Sequence, residues 1–127
     1  MRRHYIKVAD KWAVIFAYDI GLRDLDEIGD WLDALGASES DIRRASQVIM
    51  GTNTGFTFSN PNLKMSVTCI SDASDDAQWW DTVVHEIDHV QKAICSHYDV
   101  PLGTEDAAYL QGYIMRQIVA LVKFCKT

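Results

Sequence analysis

Hydrophobic spacing changes character three times along this chain, and the order of those changes restricts the fold to one that mixes helices with a small sheet. Residues 11–20, KWAVIFAYDI, are a short and nearly unbroken apolar run rich in β-branched and aromatic side chains. Its length and its stop at Asp19-Ile20-Gly21 predict a buried strand, with the preceding YIKVA extending it or pairing with it. Leu25, Ile28, Leu32 and Leu35 then recur at helical spacing opposite a row of acidic residues, and the segment ends at Gly36. A second helix follows, capped by Ser38 or Ser40, with Ile42, Ala45, Val48 and Ile49 on its apolar stripe and Gly51 at its end. Between 55 and 70 the period falls to two. Phe56 and Phe58 alternate with Thr57 and Ser59, Leu63, Met65, Val67 and Cys69 alternate with Lys64, Ser66 and Thr68, and SNPN lies between. This predicts a β-hairpin with one buried face, set against a helix.

Helical spacing then resumes. Ser74 or Asp75 can cap a helix from about Asp76 to His97, which YDVPLGT breaks through Pro101 and Gly103. Thr104 can cap a last helix, from Glu105 to about Cys125, whose stripe includes Leu110, Ile114, Ile118, Leu121 and Cys125. With no linker, repeat or low-complexity stretch, residues 1–127 read as a single α+β domain.

Charge and cysteine usage narrow the function. The net charge of −6 and the isolated basic pairs Arg2–Arg3 and Arg43–Arg44 argue against a nucleic-acid partner. Cys69, Cys95 and Cys125 are odd in number and lack CxxC spacing, which fits free thiols in a reducing compartment. MRRHYIKVAD has no apolar core of a signal peptide, and no apolar run is long enough to span a bilayer. The expectation is a cytoplasmic protein without a membrane partner.

The chemistry concentrates in VVHEIDHVQKAI, residues 83–94. On a helix, positions four apart lie on one face about 6 Å from each other, so His85 and His89 can present imidazole nitrogens to one ion. Glu86 is rotated by about 100° around the axis. It is poorly placed as a third ligand and better placed as a base for an activated water, the division of labour of the H-E-x-x-H motif. A catalytic zinc takes three protein ligands and keeps one position open. The next glutamate in the chain is Glu105, sixteen positions after His89, where a chain reversal would return it to the motif. Ala108 and Gly112 share its side of the last helix, and such small residues would allow close approach to the metal helix. Tyr109, Tyr113 and Tyr98 are candidates for stabilising an oxyanion or contacting substrate.

Other ligand assignments remain open. Asp106 could replace Glu105. Asp88 projects to another side and fits the surface, His97 is rotated by about 80° from His89, Cys95 reads as a buried thiol and His4 as a surface residue. Trp79 or Trp80, if exposed, could mark a contact surface. Manganese or nickel would also suit a His₂Glu site.

HEIDH followed by TEDAAYLQGY resembles the small zincin-like, gluzincin-type proteins encoded by bacteriophages and gut bacteria, most strongly over about residues 74–118. The resemblance implies a zincin-like core, a small antiparallel sheet with helices packed on it. It implies one Zn²⁺ held by His85, His89 and Glu105, with Glu86 as general base. It also implies that the strand before the metal helix, residues 63–70, borders the cleft and can pair with an extended peptide. The expected function is a zinc-dependent metallopeptidase or amide hydrolase acting on a peptide or protein; the alternative is a non-catalytic metal-binding or interaction module on the same core. Large gluzincin peptidases carry an aspartate four residues after the ligand glutamate. Tyr109 stands there in this chain.

Overall fold

The structure, a computed structural model, describes residues 1–126, with side-chain surroundings through Val122. The chain runs β1 (Arg2–Val8), β2 (Trp12–Tyr18), a single 3₁₀ turn (Leu22–Asp24), α1 (Leu25–Ala34), α2 (Glu39–Ile49), β3 (Gly55–Asn60), β4 (Met65–Ile70), α3 (Asp76–His97) and α4 (Glu105–Lys126). It is an α+β arrangement. Local signals set most boundaries. Ser38 Oγ accepts from the Asp41 amide at the start of α2, and Asp75 Oδ1 accepts from the Gln78 amide at the start of α3. Thr104 Oγ1 accepts from the Ala107 amide before α4. Each satisfies a backbone donor that the helix itself cannot.

The four strands form one sheet in the order β1-β2-β4-β3. β1 and β2 form an antiparallel hairpin, turning through Ala9 and Asp10, both in the left-handed region (φ 51° and 57°). β3 and β4 form a second antiparallel hairpin. The two hairpins meet along β2 and β4, and that pairing is parallel, with Ile15 opposite Val67. The sheet is therefore mixed, which corrects the expectation of an antiparallel one. The cause is the connection. α1 and α2 carry the chain across one face, and β4 returns beside β2 in the same direction.

Both faces of the sheet are covered. On one face, Ile15, Ala17, Phe56, Val67 and Cys69 pack with Ile28, Leu32, Leu35, Ala45 and Val48 of α1 and α2. On the other, Val14, Phe16, Tyr18 and Ile70 pack with Trp79, Val83, Ile87, Val90 and Ile94 of α3 and with Ile114, Ile118 and Val122 of α4. Burying each such side chain contributes roughly 1.5–3 kcal/mol. The α4 stripe is thus shifted from the expected one: Val122 is buried, while Leu121 is 37% exposed. Cys125 lies outside the described side chains.

Double coverage changes the reading of the second hairpin. Its polar face is buried too. Ser66 and Thr68 are wholly inaccessible beneath α3, and they are satisfied by hydrogen bonds rather than by water. Trp12 Nε1 donates to Ser66 Oγ at 2.9 Å, and Ser66 Oγ also pairs with Ser59 Oγ at 2.7 Å. No helix among the described residues is long and apolar enough to cross a membrane.

Candidate metal centre

Helix α3 lies on the sheet with Trp79, Val83, Ile87 and Val90 facing down. One side of the helix borders β3, the edge strand. His85, Glu86 and His89 project on that side, and one ligand atom from each lies within 4.8 Å of the other two. The imidazole rings are 5.0 Å apart and nearly perpendicular, at 83°. Both histidines are exposed, whereas Glu86 is buried. The exposed imidazoles open onto a hollow of about 470 Å³ whose walls include Arg44, Phe56 and Thr57.

The sequence does not advertise what holds Glu86. Thr57 of β3 donates from Oγ1 to Glu86 Oε1 at 2.8 Å, and its hydroxyl also lies 3.1 Å from Thr68 Oγ1. Gly55 completes the seat. A Cβ at that position would stand 2.8 Å from Glu86 Cγ, 2.9 Å from Thr82 Cγ2 and 3.0 Å from Glu86 Oε2, closer than side-chain carbons approach in folded proteins. The carboxylate is thereby fixed on one oxygen by the sheet and confined on the other by bare backbone. The available signal was the polar alternation Gly55-Thr57-Ser59 facing Ser66 and Thr68. A face of that kind is read as solvated unless something covers it, and here α3 does.

The donor set suits a divalent transition metal such as zinc. Two imidazoles are ordinary zinc ligands, and an i, i+4 histidine pair on an exposed helix side can converge by side-chain rotation alone.

The other residues singled out in the sequence are placed as follows. Glu105 is exposed in the first turn of α4. It lies outside the His85–Glu86–His89 group, beside a separate hollow that it shares with Gln91, Gly103, Thr104, Ala107 and Ala108. Asp106 is exposed and borders a third hollow near Val8 and Leu110. α4 is fixed to α3 at this level by Gln91 Nε2, which donates to the Ala107 carbonyl at 2.6 Å. Tyr109 and Tyr113 are 71% and 44% exposed, and neither lines the hollow beside the histidines. Tyr98 donates its hydroxyl to the Lys11 carbonyl on another part of the surface. Asp88 pairs with Lys92 at 2.8 Å, and His97 packs edge-on against Trp12. Cys95 is a buried thiol whose pKa burial pushes up.

Four expectations need correction. Trp79 is buried and Trp80 packs against the core, so neither is an exposed contact residue. His4 is half-buried, with its ring against Tyr18, because the β1–β2 pairing brings the two strands' side chains together. Gly112 faces open space, with nothing within 4 Å of an added Cβ, so it allows no close helix approach. Finally, the strand that borders the site is β3. β4, residues 65–70, is paired on both sides and has no free edge.

Comparison with protein-family models, with curated proteins and with solved structures finds no match for this chain.

Proposed function

We propose that this protein is a zinc-dependent peptidase or amide hydrolase. The observation that carries the reading is the pairing of two exposed, neighbouring imidazoles with a buried carboxylate held from the neighbouring strand. A structural metal site needs ligands and closes its fourth position. A glutamate braced beside the ligands, at the wall of a hollow, is what acid–base work requires.

In this reading His85 and His89 would hold the ion, and the third position, which the resemblance gives to Glu105, would need a group from outside the histidine hollow, because Glu105 stands beside a separate one. Zinc bound there supplies a positive centre that polarises a carbonyl and acidifies water. Glu86 takes a proton onto its carboxylate from the attacking water and returns it to the departing nitrogen. Thr57 donates to Glu86 Oε1 and so orients the carboxylate. β3 pairs with β4 alone among the described residues, so its outer edge can receive an extended substrate backbone.

The test is hydrolysis of an internally quenched peptide library by the zinc-loaded protein, beside Glu86→Gln. Cutting that falls at least a hundredfold in the variant, with zinc content unchanged, supports the reading. Cutting that survives in Glu86→Gln removes Glu86 from the role of base. Bound zinc with no cutting favours a metal-binding module without catalysis.

A further inference from the structure

The hollow beside the histidines has a second chemical feature, on the far side of the edge strand. Among the described residues that line it, Arg44 of α2 is the one permanent cation. Its guanidinium lies over the Phe56 ring, 5.2 Å from the centroid, and its Nη2 donates to Asp41 Oδ1 at 2.6 Å. Asp41 is itself anchored, because Oδ2 accepts from the Ser38 amide and hydroxyl. The arginine is thus held at two points, yet its side chain stays 55% exposed. A guanidinium has five N–H donors, so a single bond to Asp41 leaves most of them available.

The strand relates this cation to the metal group. Thr57 points to the α3 face, where it holds Glu86, while Phe56 points to the α1–α2 face, where Arg44 covers it. An extended chain laid along β3 alternates its side chains in the same way. A residue facing Thr57 would turn towards Glu86 and the histidines. Its sequence neighbour, facing Phe56, would turn towards Arg44.

We infer that Arg44 selects substrate: the site takes extended peptides that carry an aspartate or glutamate one residue from the position facing Thr57. Arg–carboxylate pairing is directional and charge-assisted, and a fixed guanidinium loses less freedom on binding. Against the protein's overall negative charge, Arg44 gives its own face of β3 a local attraction for an acidic side chain. The inference rests on the hydrolase reading for its substrate class, but its test does not depend on turnover.

A random octapeptide library is passed over zinc-loaded Glu86→Gln protein, and the retained peptides are sequenced by mass spectrometry. The expected result is enrichment of Asp or Glu at one position by at least fivefold. Arg44→Gln in the same background should abolish that enrichment while zinc content and helical signal stay unchanged. No retained peptide, no acidic enrichment, or enrichment that survives Arg44→Gln overturns the inference. Running the unsubstituted protein on the same library separates the two ideas. Acidic peptides retained but never cut would leave Arg44 as a binding determinant and overturn the hydrolase. Peptides cut without acidic preference would do the reverse.

Discussion

Gly55 and Glu86 meet where the edge strand passes under α3, and there is no room between them for one more carbon. A Cβ on Gly55 would lie 2.8 Å from Glu86 Cγ. The glycine backbone therefore acts as part of the glutamate's binding seat.

Gly55→Ala should destabilise the protein by about 1–3 kcal/mol, the usual cost of overpacking a fitted site. Gly112→Ala should do the opposite. That glycine is exposed in mid-helix with nothing near its missing Cβ, so alanine should stabilise by about 0.5–1 kcal/mol. Urea unfolding of both variants measures the contrast. Equal and small effects would show that α3 and β3 are less tightly apposed than described.

Thr57→Val keeps the shape and removes the hydroxyl that donates to Glu86 Oε1. A buried carboxylate deprived of a donor should cost about 1–3 kcal/mol, and any hydrolysis should fall with it. Thr57→Ser restores the donor and should recover most of both. A serine variant as impaired as valine would mean that the methyl group, not the hydroxyl, matters.

Zinc content of the purified, untagged protein should be near one per chain and should be lost in His85→Ala and in His89→Ala. Glu105→Ala distinguishes two forms of the site. Loss of zinc there places Glu105 in the ligand set. Retention would leave the two histidines as the ligands from this chain and move the third position to another group.

His4 should make stability depend on pH. Burial, and then the neighbouring Arg2 charge, hold its pKa below the ordinary 6.5. The folded state therefore resists a proton that the unfolded chain accepts. The penalty is absent above about pH 6.5 and grows as pH falls through the range below it. Urea midpoints at pH 7 and pH 5 should differ less in His4→Gln than in the unsubstituted protein. Identical losses would remove His4 as a source of the dependence.

Much of this arrangement was legible locally. The bounds of α3 follow from Asp75, the apolar spacing and the Pro/Gly break, and the same logic found α1, α2 and the strands. What local patterns do not encode is which elements become neighbours. The parallel pairing of β2 with β4 makes β3 the edge strand, and periodicity within each strand says nothing about that order. The support of Glu86 by Thr57 joins residues 29 positions apart, so neither residue marks the other in the sequence. Glu105 illustrates the converse. Its spacing fits a third ligand, yet its side chain stands at a different hollow from the histidine pair.

The parallel seam also has a kinetic consequence. Ala13 meets Met65 and Ala17 meets Cys69 across a stretch of about fifty residues, a closure whose entropy must be met before any of its contacts form. The two hairpins and the helices can assemble early from local contacts, but the complete sheet on which α3 rests forms only when the seam closes. Packing of α3 and α4 across the whole sheet should then be completed in the last phase of refolding, after most helical signal has returned.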